Sequence, residues 1–407
     1  MSDINILNLV LTGTDEPGIT SRLMGVLQTF DVEILDISQS VIHDVLTLSV
    51  IIKFPENQGT SNILKDLLFE AHEMNVSVRF EPLKLEEYQE WVEAQKDTGF
   101  IVTILGQKIL PADLFKITRV LSNHKLNILD LTRLSARPNL HSESTQACVE
   151  ILVKGGVKDL AKLRDEFMTI SFNQGIDIAL QINNVFRRNR RLVAFDMDST
   201  LIQTEVIDEL GIKAGVGEEI AAITEAAMRG EIDFNESLRQ RVSKLKGLPE
   251  SVLQEIAESL PITPGAEILI STLKTFGYKV AILSGGFTYF GNYLKEKFGV
   301  DYVHANELEI IDGKLTGKVI GEIVNGEMKA EHLKRLCKLE NISTGQTIAV
   351  GDGANDLPML ATAGLGIAFN AKPIVRKNAK AAMNGLGLDA VLYFIGFRDR
   401  EINSIPI

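Results

Sequence analysis

Apolar positions along this chain change period several times, and each change marks an element. Residues 4–12, INILNLVLT, are mostly apolar and predict a buried strand ending at Gly13. After the turn DEPG, residues Ile19, Leu23, Val26, Leu27 and Phe30 fall on one face of a helix. Residues 31–54 are rich in β-formers, and Leu46, Leu48, Val50 and Ile52 alternate as in a half-buried strand. A helical stretch from Ser61 to Glu73 and a strand from Val76 to Phe80 complete a βαββαβ order. The same order returns about 94 residues later, with Pro17–Asp36 matching Pro111–Asp130 and ILDIS matching ILDLT.

Beyond Arg191 the pattern becomes short apolar strands alternating with longer helical segments. RLVAFDMD, YKVAILSGG and TIAVGDGAND each end an apolar run in a polar turn that precedes a helix. That pattern predicts a parallel sheet with crossover helices, whose ligands collect beyond the carboxyl ends of the strands. The stretch ELEIIDGKLTGKVIG predicts a hairpin turning at Asp312-Gly313. KPIVRKNAKAAMN near the C-terminus predicts an edge element carrying solvated charge.

At 407 residues the chain has room for two to four domains, and 45% hydrophobic content provides for packed cores. The formal charge of −12 disfavours phosphate backbones and anionic headgroups, so neither nucleic acid nor membrane is expected as a partner. Two cysteines, Cys148 and Cys337, cannot build a disulfide framework or a cysteine-rich zinc site. The N-terminal residues lack a secretory pattern and no apolar run reaches membrane-spanning length, so a cytoplasmic protein is expected. The run RRNRR at 187–191 is short and isolated, which predicts a solvated linker rather than a nucleic-acid site. Trp91, in a charged connecting helix, is expected to pack against a domain.

The chemistry gathers where the three strands of the C-terminal half end. Asp196 and Asp198 with Thr200, then Ser284-Gly285-Gly286, then Asp352, Asn355 and Asp356 would meet there. Lys329 opens a helical segment between the second and third strands. Asp196, Asp198 and Asp352 would repel one another unless a cation joined them, and an oxygen-only donor set points to Mg²⁺. A cation, a lysine and a Ser/Gly turn around one point make a site of phosphate size. Residues 208–262, mostly helical, would lie over the strand ends as a cap.

The βαββαβ units resemble the ACT family of amino-acid-binding domains, with a ferredoxin-like order. The turn TGTDEPGI makes Asp15 and Gly18 a candidate effector site, and the first copy is the better candidate because Ala112 replaces Gly18 in the second. The DxDxT, Ser, Lys and aspartate-pair series resembles the haloacid-dehalogenase superfamily, which implies a Rossmann-like core. That resemblance makes Asp196 the nucleophile and Asp198 the acid and base. It gives Ser284, Gly285 and Lys329 to the phosphate, Asp196, Asp198 and Asp352 to the metal, and Asp356 to an outer, orienting position. It narrows further to the phosphoserine phosphatases, since DMDSTLIQTEVIDELG and MRGEIDFNESLRQRV place Glu205, Met228, Phe234 and Arg241 at that family's substrate positions. By this resemblance Glu205 pairs with the ammonium of O-phospho-L-serine, Arg241 clasps its carboxylate, and Asn355 adds a hydrogen bond. Met228 and Phe234 exclude water.

The expected organisation is an ACT-like domain at 1–84, a connecting helix at 85–98, a second ACT-like domain at 99–183, a linker at 184–191 and a phosphatase domain at 192–407. Serine as an effector and a homodimer are expected from the paired ACT-like units. Two alternatives stay open: a phosphatase of another small phosphomonoester, and a non-catalytic amino-acid-sensing module. His332 and Cys337 are expected to be structural.

Overall fold

The structure is a computed structural model and describes residues 5–54, 60–95, 98–138 and 146–402. Two compact units divide the chain, residues 1–97 and 98–407.

In the first unit β1 (Asn5–Thr14), α1 (Ile19–Leu27), β2 (Glu33–Ile42), β3 (Val45–Phe54), α2 (Thr60–Glu73) and β4 (Val76–Leu83) follow in order. The strands form an antiparallel sheet in the order β2-β3-β1-β4. The alternation expected in β3 is real: Leu46, Leu48, Val50 and Ile52 are buried against Ile19, Leu23 and Leu27 of α1. A helix α3 (Leu85–Ala94) follows, in which Trp91 is partly exposed and tilts against Tyr88.

The second unit begins with the repeat: β5 (Phe100–Gly106), α4 (Pro111–Asn123), β6 (Asn127–Arg133), β7 (Ala147–Lys154), α5 (Leu160–Gln174) and β8 (Asp177–Ile182). Its sheet order, β6-β7-β5-β8, is that of the first copy. The two copies differ in burial. One face of this second sheet packs on its own helices through Val102, Ile104, Val149 and Ile151. Leu105, Cys148 and Ala179 instead join the core of the large sheet. Burial on both faces explains why β5, apolar but for Thr103, shows no polar alternation.

The large sheet is built from β9 (Leu192–Phe195), four helices α6 (Val206–Ala214), α7 (Gly217–Met228), α8 (Phe234–Ser243) and α9 (Ser251–Glu258), then α10 (Ala266–Thr275) and β10 (Lys279–Phe287). It continues with α11 (Thr288–Phe298), β11 (Tyr302–Ile311), β12 (Lys314–Ile320), α12 (Gly326–Leu339) and β13 (Thr347–Gly351). Then come α13 (Leu357–Thr362), β14 (Leu365–Phe369), α14 (Pro373–Asn378) and the edge strand β15 (Ala381–Met383). The seven strands lie in the order β12-β11-β10-β9-β13-β14-β15, all parallel except β12. Period-two alternation splits β9 between two cores: Val193 and Phe195 face one side, Leu192 and Ala194 the other with Leu333 of α12 and Met359 of α13. The β11–β12 turn has Asp312 and Gly313 both at positive φ, 53° and 71°, as a tight right-twisting hairpin requires.

One expectation is corrected here. RRNRR is not a solvated linker: Arg187 and Arg190 are buried. Arg187 pairs with Glu150 of β7, and Arg190 donates from Nη1 to the carbonyls of Gly345 and Thr347 at 2.8 and 3.0 Å. Fixed acceptors far away in sequence make burial of these charges tolerable. Among the described residues no helix is long and apolar enough to cross a membrane.

Candidate active site

The carboxyl ends of β9, β10 and β13 bring the expected residues together. Immediately after β9, Asp196 accepts the Met197 N–H on Oδ1 at 2.7 Å and meets Lys329 Nζ on Oδ2 at 2.6 Å. The chain then turns sharply, with Asp198 extended and Ser199 left-handed at φ 54°. Asp198 Oδ1 accepts the Val206 N–H at 3.0 Å, so the start of α6 holds this carboxyl in place. Thr200 donates to Asp352 Oδ1 at 2.9 Å, tying the end of β9 to the end of β13.

Lys329 is completely buried on α12, whose first turn is capped by Asn325 accepting the Met328 N–H. Its ammonium bridges Asp196 and Asp356, the second at 2.7 Å. Burial alone would lower its pKa, but the two carboxylates outweigh it and the value is raised. Asp356 is itself fully buried and receives the Gly353 N–H at 2.9 Å. Burial, and then the Asp196 charge, hold its pKa well above the carboxylate range. Asp352 is raised to about 7 by burial and by Asp196. Asp198 is raised by burial, Glu205 and Asp196, and so favours its protonated form.

Ser284 is buried at the end of β10 and accepts the Gly286 N–H at 2.9 Å. The two glycines beside it are steric requirements. A Cβ on Gly286 would stand 2.3 Å from Asp198 Oδ2, and one on Gly285 would stand 3.0 Å from the Phe234 ring. Phe234, at the start of α8, therefore lies over the turn. Asn355 curls back onto Gly353, whose absent Cβ leaves room for its Oδ1.

Glu205 stands exposed just before α6 and accepts from Ser199 Oγ at 2.9 Å on Oε1. Its pKa is raised by the protein's displacement of water, with Asp196 and Asp208 adding to it. Arg241, half-buried on α8, is lowered by burial, while Glu205, Asp208 and Asp198 oppose that shift. The two opposite charges therefore feel each other, Glu205 also feeling Asp196 and Arg241 feeling Asp198.

Two of the expected side chains stand apart from this group. Met228 ends α7 and is 64% exposed, outside the buried group, because the last turn of α7 faces solvent. The carboxylates with oxygens within 4.8 Å of one another are Asp196, Asp352 and Asp356; the Asp198 side chain is not among them, being held by the Val206 N–H. Three hard oxygen donors crowded together, with burial and the Asp196 charge raising the pKa values of Asp352 and Asp356, fit a divalent cation such as Mg²⁺. Asp15 and Gly18 lie in the first unit, exposed in the turn before α1. There Gly18 adopts φ 101° with open space around it, and the Asp15 N–H donates to the Asp44 carbonyl at 2.7 Å.

Sequence reasoning missed Asn306. Its Nδ2 donates to the Gly285 carbonyl at 2.7 Å and its Oδ1 accepts the Val324 N–H at 2.8 Å. It joins the phosphate-sized turn to the segment leading into α12. It sits in β11 among ordinary strand residues, so no local pattern signals it. The role of Ser199 toward Glu205 was also not foreseen.

Residues 190–364 match the haloacid dehalogenase-like hydrolase family, and residues 5–81 match the ACT domain family. A phosphoserine phosphatase of Streptomyces coelicolor is 39% identical over 406 residues, covering 99% of this chain and 95% of that protein. Phosphoserine phosphatase SerB2 of Mycobacterium tuberculosis is 37% identical over 397 residues, covering 97% and 94%. Among solved structures, a probable phosphoserine phosphatase from Vibrio cholerae in unliganded form is 40% identical, with TM-score 0.59 over 77% of this chain and 91% of that one. Likeness of this extent, on a site assembled as described, means that the chain belongs to the phosphoserine phosphatase family, with a haloacid dehalogenase-like hydrolase domain and an N-terminal ACT domain.

Proposed function

We propose that this chain hydrolyses O-phospho-L-serine to L-serine and phosphate, the last step of serine biosynthesis, in the cytoplasm. The observation that carries the reading is the opposite-charge pair Glu205 and Arg241, in electrostatic reach of each other and of Asp196 and Asp198 respectively, beside the buried Asp196–Lys329–Asp356 group. A zwitterion that also bears a phosphate presents the complementary charges.

An Asp196 carboxylate oxygen attacks phosphorus and the bond from phosphorus to the serine oxygen breaks. Asp198 gives its proton to the departing alkoxide. The aspartyl-phosphate is then opened by water attacking phosphorus, with Asp198 taking that water's proton. Lys329, the Ser284 hydroxyl and the Gly285 amide hold the equatorial oxygens as charge shifts. Asp196 and Asp352, with Asp356 beside them, would hold Mg²⁺, which when bound offsets the negative charge of the phosphoryl oxygens. Asp356 also keeps Lys329 in place. Helices α6–α9 act as the cap, Phe234 shields the reacting centre, and Asn355 lends a hydrogen bond to the substrate.

The shared sheet order of the two small sheets supports a second ACT-like domain at 99–183. An amino-acid effector, serine being the product, would bind the ACT-like part, with Asp15 and Gly18 the candidate turn. Edge strand β2 exposes Ile34, Ile37 and Ile42, which supports a homodimer built through this edge.

The test is phosphate release with Mg²⁺ from O-phospho-L-serine, O-phosphothreonine and an aryl phosphate. Strong preference for phosphoserine, reduced in Arg241→Lys, is expected. Equal turnover of the aryl phosphate would discard the substrate assignment and keep the phosphatase.

A further inference from the structure

We propose that Ser199 determines specificity by positioning: its hydroxyl fixes the Glu205 carboxylate in the orientation that receives the substrate's ammonium. This rests on the reading of Glu205 given above.

The backbone at Ser199 is left-handed, φ 54° and ψ 3°, a conformation that glycine adopts freely and a serine adopts under strain. The turn itself is determined by other bonds. The Ser199 N–H donates to the Thr204 carbonyl at 3.2 Å, the Ile202 N–H to the Met197 carbonyl at 3.1 Å, and Asp198 Oδ1 holds the Val206 N–H. None of these uses the serine side chain, so a glycine would make the same turn with less strain. What the serine adds is the 2.9 Å bond from Oγ to Glu205 Oε1.

Glu205 needs such a tether. It precedes α6 as the cap residue, but its carboxylate makes no capping bond to the helix. Asp196 and Asp208 repel it and Arg241 attracts it. A carboxylate pulled onto Arg241 would neutralise both recognition groups at once. The Ser199 bond occupies Oε1, leaving Oε2 for an ammonium donor. It also favours the charged form of Glu205, the form an ammonium requires.

The test uses the full chain with Mg²⁺ and compares wild type, Ser199→Gly, Ser199→Ala and Glu205→Gln on O-phospho-L-serine and on p-nitrophenyl phosphate, which lacks an ammonium. Both serine variants should raise KM for phosphoserine by about 3- to 10-fold, the net worth of one ordinary solvent-exposed hydrogen bond, with kcat within about twofold. Their kcat/KM on the aryl phosphate should stay within about twofold of wild type. Ser199→Gly should melt no lower than Ser199→Ala, because it sheds the strain. Adding Ser199→Gly to Glu205→Gln should cost nothing further. An unchanged phosphoserine KM in Ser199→Gly, with Glu205→Gln impaired, overturns the role of Ser199 and leaves that of Glu205. Equal losses on both substrates would make Ser199 a structural turn residue. Unchanged substrate preference in Glu205→Gln would overturn the Glu205 reading and this inference with it.

Discussion

Gly286 shows how a single hydrogen atom can set the geometry of this site. Its Cα passes so close to Asp198 that a Cβ would meet Oδ2 at 2.3 Å and the Met197 methyl at 2.7 Å. Gly286→Ala must therefore push Asp198 off the Val206 N–H or move the Ser284 turn. Displacements near 1 Å at a reacting centre cost about 100-fold in rate. We expect kcat to fall by about that factor while overpacking lowers stability by only about 1–3 kcal/mol, checked by steady-state kinetics and urea unfolding. The type of residue at this position was legible in the sequence as a turn glycine. Its reason was not, because the clash is with a carboxylate in the turn that follows another strand, far away in sequence. The same holds for Asn306, which pairs with the end of β10 and with the segment before α12. By contrast Asp196, Ser284, Lys329 and Asp352 were legible, since each stands where an apolar run ends or a helix begins.

At the scale of elements, α12 carries Lys329 into the site and rests on β11 through His332 stacked on His304, 4.2 Å between ring centroids. Burial, then His304 and Arg335, depress the His332 pKa to about 4, and burial and Arg335 lower that of His304. The unfolded chain then binds these protons more readily than the folded one between about pH 4 and pH 6.5. Stability should rise with pH across that window and be lost as pH falls through it. Thermal unfolding of wild type and His332→Gln at pH 7.5 and pH 5 checks this, the variant losing less on acidification. An equal loss in both would remove His332 as the source. Hairpin, strands and helices of this half were legible because their periods and the Asp312-Gly313 turn are local signals. The burial of Arg187 and Arg190 was not, because it depends on Glu150, Gly345 and Thr347, which the sequence sets far apart.

Across the larger unit, the second small sheet is joined to the large one by buried polar contacts as well as apolar ones. Asp177 accepts the Asn384 N–H and side-chain amide at 2.7 and 2.9 Å, and Gln181 donates to the Phe394 carbonyl at 2.8 Å. The Arg187–Glu150 pair ties the approach to β9 onto β7. Removing one member of a buried pair strands the other, so Arg187→Ala should destabilise this unit by about 3 kcal/mol in denaturant unfolding. No change would mean that Glu150 finds water instead. The repeat predicted a second βαββαβ unit; the structure makes its sheet a partner of the large-sheet core, a relation visible only in which of its faces are buried.

The central claim is that Asp196 is phosphorylated by phosphoserine, and rapid acid quench with O-[³²P]phospho-L-serine and Mg²⁺ tests it most directly. Wild type should retain acid-stable label on the protein that is lost on mild alkaline treatment, and Asp196→Asn should carry none and release no phosphate. Phosphate release at an undiminished rate by Asp196→Asn would contradict the account.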